Sequence, residues 1–327
     1  MSIKPSEVTP EPCFQLKGKS MLNLADWAPE EVEYVLNHAI EMKKGKESPF
    51  YSRYENALGG QTLGMIFEKP STRTRVSFEV GMFQLGGQAI YLNTNDIQLG
   101  RGESIEDTAQ VLSRYVDAVM IRTHAHETLT RFDQYANIPV INGLCDLYHP
   151  TQVLADLLTI KEHKGKLQGL RIAYIGDGKN NMAHTLLLGA TMMGMDMTVA
   201  SPDDDLPQAD IYEKAKEMAT QSGAQLHLTT DPHAATKGVD VVITDVWTSM
   251  GQEDEQEARM KRLEPYQVNT DLCSHAATDY IFLHCLPAHR GEEVTADIID
   301  GGHSVVFDEA ENRLHAQKAL LYAVMSR

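Results

Sequence analysis

Tryptophan is almost missing from this chain, two in 327 residues, and cysteine is scarce, at four. Cys13, Cys145, Cys273 and Cys285 form no CxxC pair and no dense framework. That spacing excludes a disulfide-stapled domain or a zinc ribbon and fits a reducing compartment. Positive charge is also in deficit: 29 Lys+Arg against 46 Asp+Glu leave a net −17. A groove for nucleic acid would require a basic excess, so a nucleic-acid partner is excluded. No run approaches the roughly 18 apolar residues of a membrane span. The opening segment MSIKPSEVTPEPCF has no secretory apolar core, and the first arginine comes only at Arg53. These features predict a cytoplasmic protein without a membrane partner.

What is present is an ordinary globular composition, 42% apolar and 23% charged. At roughly 100–200 residues per domain the length predicts two domains. Short apolar runs alternate with helical patterns. Strands are expected at 62–67, 89–93, 117–122 and 138–142, and again at 171–175, 197–200, 226–229, 239–245 and 280–285. Between them lie amphipathic stretches such as Val153, Leu154, Leu157 and Leu158, spaced to make one helical face. The expected fold class is α/β: two domains, each a parallel sheet flanked by helices, joined by interdomain helices. The boundary falls at the helix opening at His149-Pro150, giving domains 1–148 and 149–309. A last helix, 310–327, is expected to cross the seam or return to the first domain.

The segment MIFEKPSTRTRVSFEVGMF reads as strand, turn and helix. Ser71 or Thr72 is a natural N-cap, and Val76, Val80 and Phe83 supply an i, i+4, i+7 apolar stripe. A helix start offers unpaired N–H groups and partial positive charge, and Ser71, Thr72, Thr74 and Arg73 add oxyanion donors. The bland alternative is a capped helix with two solvated arginines. Arg122 closes an apolar strand, where ligands gather in open parallel sheets. His149 and Gln152 open the next helix and can face the same anion. Together these residues describe a small oxyanion site without a P-loop, since GxxxxGK[ST] is absent.

In the second half, Gly176-Asp177-Gly178 begins like a dinucleotide fingerprint, but Asn181 stands at the third glycine. The paired Asn180 and Asn181 suit a carboxylate better. Asp245 ends a strand, with Ser249-Met250-Gly251 four residues on, a pairing suited to an ammonium group. Cys285 ends another strand before Pro287, where plain packing remains an even alternative. A metal on His284, Cys285 and His289, with or without Asp245, is disfavoured, because neighbours on a strand point to opposite faces.

At this point the chain resembles the aspartate/ornithine carbamoyltransferase family. The resemblance rests on Ser71-Thr-Arg-Thr74, Arg122, His149-Pro-Thr-Gln152, Asp245 with Ser249-Met-Gly251, and His284-Cys-Leu-Pro287, in family order over about 240 residues. The last two motifs belong to the ornithine-using side of the family. The resemblance implies transfer of a carbamoyl group from carbamoyl phosphate to the δ-amine of ornithine, giving citrulline and phosphate within arginine metabolism, with no cofactor or metal. It implies a homotrimer with shared sites, Gln98 coming from the neighbouring subunit. By motif position, Ser71, Thr72, Arg73 and Thr74 would hold the phosphate, and Arg122, His149 and Gln152 the carbamoyl end. Cys285, Leu286 and Arg313 would line the reacting end. Asn181, Asp245, Ser249 and Met250 would bind ornithine, with Arg122, His149, Cys285 and Arg73 carrying catalysis. A carbamoyltransferase for putrescine or an acylated ornithine is the alternative. The acidic stretch Asp203 to Asp205 has no assignment.

Overall fold

A computed structural model describes residues 15–95, 97–98, 102–247 and 256–326. Two parallel sheets organise them. The first half runs α1 (Pro29–Lys43), β1 (Thr62–Phe67), α2 (Thr72–Gln84), β2 (Gln88–Asn93), α3 (Ile105–Leu112), β3 (Ala118–Arg122), α4 (His126–Tyr135) and β4 (Val140–Leu144). Then α5 (Pro150–Lys164) crosses to the second sheet. There follow β5 (Arg171–Ile175), α6 (Asn181–Met192), β6 (Asp196–Ala200), α7 (Ala209–Ser222), β7 (Leu226–Thr229), α8 (Pro232–Thr236) and β8 (Val241–Thr244). The chain closes with α9 (Gln256–Leu263), α10 (Thr270–Cys273), β9 (Ile281–His284), α11 (Ala296–Ile299) and α12 (Val306–Met325).

All nine expected strands are present. The fourth begins two residues later than expected because Pro139 has no N–H to donate to a ladder and contributes only its carbonyl, to Val119 N. The strand orders are β2-β1-β3-β4 and β7-β6-β5-β8-β9. Each order reverses direction once, between β1 and β3 and between β5 and β8, leaving a crevice beyond the carboxyl ends of those strands. Phe67 pairs with Arg122 at the first crevice. The second lies where β5 ends at Ile175 and β8 at Thr244.

Two helices hold the sheets together. The periodicity of α5 predicts one apolar face, yet residues 150–160 are all buried, including Thr151, Gln152, Asp156 and Thr159. The helix is covered on every side, by α12, α6, α1 and β4. The last helix, α12, packs on α1, α2 and α5, and Gly18 N donates to Val324 O at 2.9 Å. One apolar cluster accordingly runs through both halves, from Leu63 and Phe78 through Leu154 and Tyr174 to Leu320.

One expectation for α2 is reversed. Its buried face is Thr74, Ser77, Phe78, Gly81 and Met82, while Val76 is 49% and Phe83 79% exposed. Residues i, i+3, i+4, i+7 and i+8 from Thr74 form the inward stripe, so Thr74, Ser77 and Gly81 share the buried face with Phe78 and Met82, while Val76 and Phe83 face outward. No helix among the described residues is long and apolar enough to cross a membrane.

The core role of α12 has a direct consequence. Leu320, fully buried between the helices, should cost about 2–5 kcal/mol when cut to alanine. Urea unfolding measures it; a loss below about 1 kcal/mol would mean that α12 is not part of the core.

Candidate active site

Ser71 caps α2, its Oγ accepting from Thr74 N at 3.2 Å, and Thr72, the first helical residue, is exposed. One residue on, Arg73 donates through Nη2 to the carbonyl of Leu286, which follows β9. The phosphate-type helix start and the end of the second sheet therefore meet directly. Thr74 turns inward, and its Oγ1 accepts from Arg313 Nη2 at 3.1 Å. Arg313 also donates through Nη1 to Gln152 Oε1 at 2.6 Å. With its carbonyl turned inward, Gln317 accepts from Arg313 Nη2 and Nε at 2.9 and 3.1 Å. Every one of these partners is neutral, so the Arg313 charge is held but not cancelled.

Arg122 ends β3 as expected and is only 7% exposed, with Nε unpartnered among the described residues. Burial, then the nearby Arg313, pulls its guanidinium down to about 10, which still leaves it charged at neutral pH. Arg313 falls to about 10 for the same first reason, with Arg73 adding to it. His149 sits at the N-cap of α5, fixed by its N–H donating to Thr185 Oγ1 at 2.8 Å. Its imidazole is pushed well below the ordinary range by burial and then by Arg313, Arg122 and Arg73, and Nδ1 has no partner. A neutral imidazole among three guanidiniums is a hydrogen-bond donor or acceptor and not a fourth cation.

Across the crevice, Cys285 Sγ donates to Asp245 Oδ1 at 3.0 Å. Burial, then the Asp245 carboxyl, raises the thiol well above its ordinary value. Asp245 is itself raised by burial, although His284 opposes the shift. Leu286 adopts a left-handed backbone, φ 56°, rare for a branched side chain and typical of functional sites. Its N–H donates to His284 Nδ1 at 2.9 Å, and Arg73 meets its carbonyl.

The other expected residues are distributed less evenly. Asn181 opens α6 and donates to Cys145 O at 2.7 Å, tying the two halves together. It is Asn180, its neighbour, that reaches toward Asp245, at 3.5 Å, while donating to Tyr174 Oη at 2.6 Å. Lys69 is paired with Asp146 at 2.7 Å. Gln98 is exposed beyond β2 and takes part in none of these hydrogen bonds. Ser249 and Met250 lie outside the described residues.

Strand alternation does not hold His284 and Cys285 apart. Because β9 ends at His284, Cys285 is free of the pleat, and ligand atoms of Asp245, His284 and Cys285 lie within 4.8 Å of one another. What opposes a metal is occupancy of the histidine: Nδ1 accepts from Leu286 N, and Nε2 meets Glu293 Oε1 at 3.1 Å. The dinucleotide reading is closed off by the chain itself. A Cβ on Gly178 would meet Asp205 O at 2.6 Å, Asp177 is paired with Arg259, and Asp205 is bound by Arg262 at 2.5 and 3.0 Å. The unassigned acidic stretch thus serves to anchor α9.

Two acids escaped the sequence reading. Asp156 accepts from Gln152 Nε2 at 2.9 Å, and so does Glu309. An acid one turn after Gln152, inside the mostly apolar run VLADLL, is a usable signal; nothing near Glu309 marks it.

The state of Cys285 can be tested by alkylation, since only the thiolate reacts. At pH 8, iodoacetamide should modify Cys285 faster in Asp245→Asn than in the unaltered protein, followed by peptide mass. Equal or slower labelling would remove Asp245 as a cause of the raised thiol.

Two family models match the chain: the carbamoyl-P binding domain of aspartate/ornithine carbamoyltransferase over residues 19–162, and the Asp/Orn binding domain over 168–324. An ornithine carbamoyltransferase of Anoxybacillus flavithermus is 58% identical, covering 95% of this chain and 98% of that protein. The ornithine carbamoyltransferase structure from Pyrococcus furiosus superposes with a TM-score of 0.91 at 52% identity, over 95% of this chain and 98% of that one. The anabolic ornithine carbamoyltransferase of Campylobacter jejuni gives 0.86 at 46%, over 93% and 97%. With its two parallel sheets, its buried arginines at the crevice and these matches over nearly its whole length, the chain belongs to the aspartate/ornithine carbamoyltransferase family.

Proposed function

We propose that this chain is an ornithine carbamoyltransferase, moving the carbamoyl group of carbamoyl phosphate to the δ-amine of L-ornithine and yielding citrulline and phosphate. The observation that carries the reading is the convergence of Arg73, Arg122 and Arg313 on His149 and Thr74, facing Asp245 and Cys285 across one crevice. A dianionic acyl phosphate supplies the negative charge that the arginines lack, and the carboxyl at Asp245 is placed for an amino acid's ammonium group. Relatives bearing the ornithine name at 53–58% identity support ornithine over putrescine or an acylated ornithine.

The reaction is addition and elimination at the carbamoyl carbon. An alkyl amine with a pKa near 10.4 is neutral in only about one molecule per thousand at pH 7.4, so the site must bind or generate the free base. The amine lone pair attacks the carbonyl, and the developing oxyanion is met by Arg122, the Thr74 hydroxyl and neutral His149 as a donor. As the carbonyl re-forms, phosphate leaves toward Arg73 and the α2 start and takes up the proton lost by the attacking nitrogen, while Gln152 holds the carbamoyl end. Cys285, held protonated, offers Sγ as a positioning contact for the amine and forms no covalent bond. Asn181, Ser249 and Met250 complete the ornithine half-site by motif position, and Leu286 lines the reacting end.

In this reading residues 1–148 with 310–327 form the carbamoyl phosphate domain and 149–309 the ornithine domain. The contacts of α12 with α1 and α2 support that division. We further read the active form as a homotrimer of the cytoplasm, serving arginine metabolism. The outward Val76 and Phe83 on α2, with Ile90 on β2, give an apolar surface for a second copy. Exposed Gln98 is free to enter a neighbour's site.

Incubation with carbamoyl phosphate and ornithine, with aspartate and putrescine in parallel, should give citrulline from ornithine alone. Arg122→Ala should lower kcat/KM by about 100- to 1,000-fold, the usual cost of an oxyanion donor. Turnover with putrescine but not ornithine would overturn the assignment, and near-normal turnover of the variant would remove Arg122 from the mechanism.

A further inference from the structure

The mechanism above leaves two buried acids unused. Asp156 lies one turn after Gln152 on α5, and Glu309 one turn before Arg313 on α12. Asp156 is fully buried and Glu309 is 1% exposed. Three of their four carboxyl oxygens have donors. Gln152 Nε2 donates to Asp156 Oδ1 and Glu309 Oε1, both at 2.9 Å, and His284 N donates to Glu309 Oε2 at 2.8 Å. The fourth, Asp156 Oδ2, is buried and meets no N–H or hydroxyl among the described residues. Both carboxyls share the single Gln152 Nε2 donor, so two full negative charges would lie side by side in a buried site, and one carboxyl carries a proton instead. The donorless Oδ2 is the one oxygen of the four left open to carry or accept that proton.

We propose that Asp156 and Glu309, sharing a single proton, form a positioning unit that couples the carbamoyl phosphate half-site to the ornithine half-site. The proposal rests on the assignment of those two half-sites. Through Oε2, Glu309 fixes the main chain at His284, one residue before Cys285. Through Oε1 it fixes the amide of Gln152, whose oxygen accepts from Arg313, and Arg313 reaches Thr74. A movement of Arg313 toward a bound phosphate therefore reaches the Cys285 segment through consecutive hydrogen bonds. With one proton the pair carries a single negative charge, matching the one positive charge of Arg313. Loss of that proton sets a second negative charge beside Arg313 and draws the guanidinium away from Thr74.

The charged and titratable groups facing the pair are Arg313 from α12, Asp245 after β8 and Cys285 after β9, with neutral Gln152 on α5. Burial raises Asp156 to about 7 and Glu309 well above the carboxylate range. An acid raised in the folded state contributes stability that is fully present below its unfolded value of about 3.9 and is lost as pH rises through about 7.

Three variants test the unit. Asp156→Ala and Glu309→Ala should each raise both substrate KM values at least about fivefold and lower kcat about 30-fold. Asp156→Asn, whose Nδ2 donates permanently where the shared proton stood, should recover kcat to within about fivefold of the unaltered enzyme. In urea at 25 °C, the midpoint of the unaltered protein should fall relative to Asp156→Asn between pH 5 and pH 8. The proposal is overturned if asparagine rescues no better than alanine, if an alanine variant moves the KM of one substrate only, or if the midpoint difference is constant with pH. Absence of citrulline from the unaltered enzyme would instead overturn the assigned activity, while the urea series would still decide whether the proton is shared.

Discussion

Positive charge buried without a carboxylate in hydrogen-bond contact is the constraint around which the rest of this molecule is arranged. Arg122 and Arg313 are nearly inaccessible, Arg73 is close to both, and Arg313 meets only neutral acceptors. The effective penalty for a buried ion is several kcal/mol, and like charges nearby add to it. His149 answers the same field by remaining neutral. Such an arrangement is unfavourable in the empty protein and becomes favourable when a phosphoanhydride-like anion enters, so part of the fold's stability is withheld until substrate arrives. The net charge of −17 does not conflict with this, because the deficit falls mostly beyond residue 150. Between Lys69 and Arg122 six basic residues balance six acidic ones.

The scaffold must hold this cluster against its own repulsion, and two fully packed helices do so. α5 and α12 lie between sheets whose strand-order reversals face the same space. Polar side chains on them and on the start of α2 form one continuous set of hydrogen bonds, from Ser71 and Thr74 through Arg313 and Gln152 to Glu309 and the main-chain N–H of His284. Buried polar networks carry a high cost when incomplete and enforce one geometry when complete. Here the geometry enforced is the relative position of a phosphate-binding helix start and an amine-facing thiol. The second crevice is managed differently. Asp177 and Asp205 are spent on Arg259 and Arg262, leaving Asp245 as the carboxyl facing the site.

Much of this was legible in the sequence because it is periodic or local. Strand–helix alternation predicts both sheets, and strand ends at Arg122, Asp245 and Cys285 predict which residues reach the crevice. Other features were hidden for physical reasons. The stripe Val76, Val80 and Phe83 suggests an inner face for α2, but the buried face is the one on which Phe78 and Met82 lie beside Thr74 and Ser77, which meet Arg313 and Gln317 of α12. His284 and Cys285 were assigned to opposite faces, an inference that fails once the strand ends between them. The partnership of Glu309 with Gln152 spans 157 residues and leaves no local trace. Asn180 was passed over for Asn181, because a helix N-cap and the first helical residue differ by about 100° in direction, which spacing alone does not reveal.

The account is tested most directly by unfolding the protein in urea at 25 °C with and without inorganic phosphate, beside Arg122→Met. If the arginine cluster is strained for want of an anion, phosphate raises the midpoint of the unaltered protein. The variant would then be more stable than the parent without phosphate and gain little from adding it. A destabilised variant, together with a parent indifferent to phosphate, would contradict the central claim.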